Sequence, residues 1–165
     1  MYRVFLSHSF KDGSIADQLH AYLEASSGIA PPVGPLAKTI EVFLSEYDLA
    51  PRPNLDQGIL AELNRADLFL LLLSEEASKS AYVNQEIGVA IHRGIERLVV
   101  ALQPVTPPGM ITRDNYIRLY ENPQLWSASL KQHIDALASK KARNEAIGVV
   151  AAVVGLLWLL SGNNK

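Results

Sequence analysis

The sequence predicts an α/β fold, a parallel sheet with helices on both faces, and three observations carry that expectation. Apolar, β-forming runs alternate with stretches of helical periodicity, the pattern of repeated strand–helix–strand units. One of those runs, Leu68 to Leu73, is apolar without interruption, which suits a central strand covered on both faces. The chain has 165 residues, of which 48% are hydrophobic. That is enough to bury one core without disulfide or metal support and leaves little for a second domain.

The elements follow in order. Tyr2 to Leu6 is rich in β-formers and reads as the first strand. Asp12 to Ala25 places Ile15, Ala16, Leu19, Tyr22 and Leu23 on one helical stripe. The glycines and prolines between Gly28 and Pro35 break it. Thr39 to Leu44 is a second strand, Ser45 to Asn54 a loop with Pro51 and Pro53, and Leu55 to Ala66 a short helix. After the third strand, Leu68 to Leu73, a loop from Ser74 to Ser80 leads into a helix from Ala81 to Arg93, stopped by Gly94. Leu98 to Leu102 and Tyr116 to Tyr120 are strands four and five, and Trp126 to Leu137 is a further helix. No internal repeat or low-complexity segment is evident.

Composition removes several function classes. Fifteen Lys and Arg stand against 17 Asp and Glu, a net charge of -2. No global basic field is available for nucleic acid. The absence of cysteine excludes disulfides, thiolate metal sites and cysteine nucleophiles, and fits a reducing compartment. His8, His20, His92 and His133 pair with no ligand at a recognised metal spacing, so no metal is expected. No glycine-rich phosphate loop follows any strand. Met1-Tyr2-Arg3 runs straight into a strand, so no signal peptide is expected.

The composition changes near residue 140. Residues 1–139 read as the folded domain, and 140–145 as a basic linker carrying Lys140, Lys141 and Arg143. Residues 146–162 read as a hydrophobic C-terminal helix. The apolar run 146–160 has 15 residues, about 22 Å of helix at about 1.5 Å per residue, against a bilayer core of about 30 Å. It has no polar face. Gly148 and Ala152, and Ala151 and Gly155, keep the spacing of close helix contacts in lipid, and Trp158 suits an interface. The expectation is a short transmembrane segment that clusters, with the folded domain in the cytoplasm. The alternative is a buried helix of a cytoplasmic protein.

Ligand crevices in open α/β sheets lie beyond the carboxyl ends of the strands, so the loops at Ser7–Asp12, Ser45–Asn54 and Ser74–Ser80 are the places to look. On the helix that follows, Val83, Ile87, Ala90 and Ile91 share the side expected to face the sheet. Tyr82, Glu86 and Arg93 fall on the other. Tyr82 and Glu86, four apart, are neighbours near the helix start. Spacing alone reads Glu86 as a solvated helix carboxylate, and Ser7-His8-Ser9 as a turn that bonds its own backbone.

Taken together, three segments resemble a TIR domain of the bacterial or archaeal type. Val4 to Asp12 is similar to the family's first box, Val42 to Pro51 to its second strand and BB loop, and Ser80 to Ala90 to the segment with its catalytic glutamate. The resemblance spans residues 2 to 138. It implies a flavodoxin-like sheet of five parallel strands and one of two activities, NAD+ cleavage or assembly through TIR–TIR contacts. Residue by residue, Glu86 matches the catalytic glutamate and Tyr82 a position usually held by Trp. His8, Ser9, Phe10 and Lys11 match the substrate-side loop, and Asp48 lies in the BB loop. Arg52 stands where Gly usually follows the BB-loop Pro51.

One carboxylate is sufficient for that chemistry. Glycosidases need an acid to protonate a leaving oxygen, whereas the nicotinamide of NAD+ leaves neutral. A carboxylate under the ribose can then stabilise the developing cation. The resemblance therefore implies an NAD+ glycohydrolase or ADP-ribosyl cyclase, releasing nicotinamide and linear or cyclic ADP-ribose. It would use NAD+ as substrate and no further cofactor, and act as a prokaryotic antiviral effector. Copies would assemble through Asp48, Pro51 and Arg52, with the membrane as a second partner through the tail. The alternatives are a non-enzymatic signalling scaffold and an enzyme like the nucleoside deoxyribosyltransferases.

Overall fold

The computed structural model describes residues 1–25, 40–45, 57–108, 111, 115–121 and 129–145. Five strands, β1 (Tyr2–Ser7), β2 (Ile40–Leu44), β3 (Leu68–Leu73), β4 (Glu96–Ala101) and β5 (Asn115–Arg118), form one sheet in the order β2-β1-β3-β4-β5. Every pairing is parallel. This is the flavodoxin-like order, and the chain reverses its direction of travel between β1 and β3, where ligand crevices form. The helices are α1 (Gly13–Ala25), α2 (Gln57–Arg65), α3 (Glu75–Lys79) and α4 (Ala81–His92), with α5 over 129–145.

The uninterrupted apolar run takes the central place it predicts. All of β3 is buried, and its alternate side chains feed two cores. Leu68, Leu70 and Leu72 pack with Val4, Leu6, Leu98 and Val100 under α1 (Ala16, Leu19, Leu23) and α5 (Leu130, Ile134). Phe69, Leu71 and Leu73 pack with Phe5 and Val99 under α2 (Leu63) and α4 (Val83, Ile87, Ala90). Phe5 stacks on Phe43 and Phe69, with ring centroids at 5.3 and 5.9 Å. That aromatic row ties β2, β1 and β3 into one rigid unit.

Helix ends explain much of the local detail. Gly94 has φ +65°, a conformation that costs a side chain dearly. Its N–H bonds the Ile91 carbonyl and the Ile95 N–H bonds the Ala90 carbonyl, both at 3.0 Å. This double closure ends α4 and starts the run into β4. Of the α1 stripe, Ala16, Leu19 and Leu23 are buried, while Ile15 at 38% exposure lies at its margin.

Two expectations differ from the structure. The loop expected at Ser74–Ser80 contains α3, whose start is capped by the Ser74 hydroxyl accepting from the Ala77 N–H at 3.0 Å. A helix of five residues is too short for periodicity to register. The stretch 140–145, expected as a basic linker, continues α5. Lys141 donates from Nζ to both carboxylate oxygens of Asp67, at 2.9 and 2.8 Å, and to the Met1 carbonyl at 3.4 Å. Asp67 also accepts the Arg3 N–H at 2.9 Å. Beyond Ala138 the helix has no apolar stripe, so its last turns look like a charged linker in sequence, yet one of those charges docks it.

The loop residues Asp48, Pro51 and Arg52 and the apolar tail 146–162 lie outside the described residues. Among the described residues no helix is long and apolar enough to cross a membrane.

Candidate functional site

The strands β1, β2 and β3 are each followed or ended by a serine: Ser7, Ser45 and Ser74. All three are buried. Register places Leu6 opposite Leu44, and the Ser45 N–H continues the ladder by bonding the Leu6 carbonyl at 3.1 Å. Ser7 and Ser45 therefore stand side by side where two neighbouring strands end.

Glu86 meets them there. It lies in the second turn of α4, whose start is capped by Ser80, and it is 0% exposed. The Ser7 hydroxyl donates to Oε2 at 2.5 Å, and the Ser45 hydroxyl donates to Oε1 at 2.6 Å. The expectation of a solvated helix carboxylate, on the side away from the sheet, is corrected. Glu86 sits three residues after Val83 and four before Ala90, both buried against the sheet, so it belongs to the inward stripe. A carboxylate at such a position reads as outward by pattern. It points inward here, where two hydroxyls bond it, as a buried polar group requires.

A second buried carboxylate organises the loop after β1. A short 3-10 turn (Phe10–Asp12) brings Asp12 back beneath Ser9. The Ser9 hydroxyl donates to Asp12 Oδ2 at 2.5 Å and the Ser74 hydroxyl to the same oxygen at 2.6 Å. Ser74 thus accepts from α3 and donates to Asp12, using both capacities of a hydroxyl. At the surface, Lys11 Nζ donates to Glu76 Oε1 at 2.9 Å, and that contact holds the Glu76 carboxyl below the usual carboxylate range. The loop after β1 and the start of α3 are therefore joined twice, once inside and once outside.

The residues expected at the site are distributed as follows. His8 and Ser9 are buried directly after β1, at the end of the sheet that holds Glu86. Phe10 projects from the turn, 65% exposed. Lys11 is exposed and engaged with Glu76. Tyr82 is half-buried in the first turn of α4, one turn before Glu86. Asp48 lies outside the described residues. Among the described residues no group of three His, Asp or Glu side chains is placed to hold a metal.

Ser7, Asp12, Ser45 and Ser74 carry the geometry, and sequence reasoning gave none of them a role in the site; Ser7 and Ser9, expected in a turn bonding its own backbone, donate instead to the side chains of Glu86 and Asp12. One signal was available for the two that hold Glu86. The tetrapeptide Val-Phe-Leu-Ser occurs at 4–7 and again at 42–45, on strands whose register aligns the two copies. Chemically, the arrangement is a carboxylate removed from water and fixed at both oxygens by neutral donors. Such a group can orient hydroxyls or stabilise a nearby cation strongly, because little solvent screens it.

Comparison with known proteins places this geometry in a family. A sequence model described as the TIR domain matches residues 4–134. The TIR domain of the Toll-related receptor TRR-2 from Hydra magnipapillata is similar in structure, with a TM-score of 0.61 at 12% identity, over 82% of this chain and 99% of that one. A conserved protein from Enterococcus faecalis V583 aligns with a TM-score of 0.47 at 18% identity, over 82% of this chain and 98% of that one. No curated protein matches the chain. The family match runs from within β1 to the first turns of α5, and the five-stranded parallel sheet agrees with it: the chain belongs to the TIR-domain family.

Proposed function

We propose that this TIR domain cleaves NAD+ at the bond between nicotinamide and ribose, with Glu86 as the catalytic carboxylate. The observation that carries the reading is the placement of Glu86: fully buried, at the carboxyl ends of β1 and β2, with each oxygen held by a separate hydroxyl. In the reaction the C1′–N bond breaks and its electron pair neutralises the pyridinium nitrogen, so nicotinamide leaves uncharged. The ribose C1′ becomes an oxocarbenium ion. Water adds to it and loses a proton, giving ADP-ribose, or the adenine of the same molecule adds to give the cyclic product. The negative charge of Glu86 stabilises the cation, and its oxygens orient the ribose hydroxyls. Tyr82 supplies a ring at the same helix start. His8, Ser9, Phe10 and Lys11 form the substrate-side loop, with Phe10 exposed for stacking.

Burial adds a condition. A carboxylate with no exposed surface must be uncovered before substrate reaches it. TIR domains generally self-associate, and assembly through the segment with Asp48, Pro51 and Arg52 supplies that change in this reading. The apolar run 146–160 gathers copies at a membrane, and a prokaryotic antiviral role fits an NAD+-consuming effector held inactive until it assembles.

The test is release of free nicotinamide from NAD+ by the purified full chain over a wide range of protein concentration. Specific activity is expected to rise with concentration. Glu86→Gln is expected to lower it by at least about 100-fold, the scale of losing one key electrostatic group, with the protein still folded by circular dichroism. A second reading, the non-enzymatic scaffold, is favoured by the same complete burial of Glu86, since a carboxylate joining α4 to β1 and β2 could serve structure alone. Under that reading the wild type releases no nicotinamide at any concentration.

A further inference from the structure

We infer that Ser7 and Ser45 are positioning residues that fix Glu86 as an oriented anion, an inference that rests on Glu86 being the reacting group. Each serine hydroxyl has a single proton, and in this structure each donates it to Glu86, Ser7 to Oε2 and Ser45 to Oε1. Neither therefore has a proton left for a substrate, and both act through the carboxylate. The two bonds go to different oxygens. Together they constrain the position of the carboxylate and the rotation of its plane.

The donors themselves are rigid. Ser7 closes β1, and Ser45 follows β2 with its N–H on the Leu6 carbonyl at 3.1 Å. Behind them the stacked rings of Phe43, Phe5 and Phe69 lock the three strands together. Both serines and Glu86 are 0% exposed, so water cannot replace a lost hydroxyl without a cavity opening. A hydroxyl also holds a carboxylate without cancelling its charge, unlike a lysine or arginine partner. Hydrogen bonds to the charged form favour that form, so each serine hydroxyl acts in favour of the ionised carboxylate.

The experiment reads the carboxyl directly. The full chain carrying 13C-labelled glutamate is titrated by NMR, with Glu86→Gln assigning the signal, in the wild type, Ser7→Ala, Ser45→Ala and Ser45→Thr. The titratable neighbours are His8 beside Ser7, Asp12 on the same loop, Glu75 and Glu76 on α3, and Tyr82 one turn earlier on α4. They are identical in all these proteins, so a difference belongs to the hydroxyl. Each Ser→Ala change is expected to move the Glu86 midpoint upward by about one pH unit or more, and Ser45→Thr to restore it. In NAD+ cleavage the acid limb of kcat/KM is expected to move by the same amount, with kcat lowered about 10-fold and KM changed little. An unmoved Glu86 midpoint in both alanine variants overturns the inference, whatever the activity. If the midpoint moves while the wild type releases no nicotinamide, the positioning stands and the NAD+ reading fails.

Discussion

At Asp12 one carboxylate oxygen accepts from two buried serines, Ser9 and Ser74, and that sharing makes the residue a good measure of how the site is held. Replacing Asp12 with alanine leaves both hydroxyls buried without their acceptor. The expected loss is about 1–3 kcal/mol of unfolding free energy, the usual range for orphaning buried polar groups, measured by denaturant unfolding. Conservative Asp12→Asn, which keeps an acceptor oxygen, is expected to lose less. Tyr82 tests the opposite kind of role. A half-buried ring that stacks on substrate, when cut to alanine, should raise KM or shift the ratio of linear to cyclic product while stability changes little. Tyr82→Trp should preserve or improve cleavage. Equal kinetics in all three proteins would reduce the ring to packing. At this scale the sequence was legible unevenly. Glu86 stood out only through its resemblance to a family segment, and periodicity turned it the wrong way, because pattern rules place a carboxylate outward unless a partner is known. Its partners, Ser7 and Ser45, went unread because a serine after an apolar strand looks like an ordinary turn residue.

Among the elements, strands were read most easily and short or charged helices least. A continuous apolar run locates β3 because both faces of a parallel sheet are buried, and β-forming residues locate β1. The α3 helix escaped because five residues make little more than one turn. The end of α5 escaped because what fastens it is an ion pair with a residue 74 positions away. That fastening and its neighbour Tyr2 give a pH prediction. The Lys141 ammonium is held above its ordinary value, first by its hydrogen bond to Asp67. The Tyr2 hydroxyl is pushed far up, first by burial, then by Glu96 and Asp67. Both groups bind their proton more tightly folded than unfolded. Their contributions are therefore complete below the unfolded pKa values, near 10 for each, and are lost as pH rises through and above them. Stability is expected to hold from neutral pH to about 9.5 and fall beyond. For Tyr2 the fall is about 1.4 kcal/mol by pH 11, one unit above the ordinary tyrosine pKa. In Tyr2→Phe that part of the alkaline loss should vanish. With its side chain 36% exposed, the lysine pair is screened by solvent and adds less. Urea midpoints at pH 8 and pH 11 for the wild type and Tyr2→Phe decide it; equal alkaline losses would show that Tyr2 ionises freely.

For the molecule as a whole, the decisive geometry is polar opposition. Glu86, Ser7 and Ser45 gather at the carboxyl ends of the strands. Lys141 of α5 docks at the amino ends, on Asp67 before β3 and on the Met1 carbonyl. The chain therefore leaves α5 at the pole away from the site. If the apolar run 146–160 enters a membrane, the site is turned toward the aqueous side, where NAD+ is available, and neighbouring copies can meet laterally. The basic residues Lys140, Lys141 and Arg143 favour a cytoplasmic location for that end of the domain. The docking of Lys141 also fixes where the chain can be cut. Ending at Ser139 removes the Asp67 contact with the tail, whereas ending at Glu145 removes the apolar run and spares the contact. The chain ending at Glu145 is expected to unfold at nearly the wild-type denaturant midpoint, and the one ending at Ser139 somewhat earlier. In fractionated cells only the full chain should sediment with membranes and resist carbonate extraction. Restoring residues 146–165 alone should restore that behaviour, and its specific NAD+-cleaving activity should exceed that of the Glu145 chain at equal concentration, because clustering in two dimensions raises the local concentration of copies. Recovery of the full chain as a monodisperse species in detergent-free buffer would overturn the membrane reading and leave the run as a helix that covers its apolar surface within the protein.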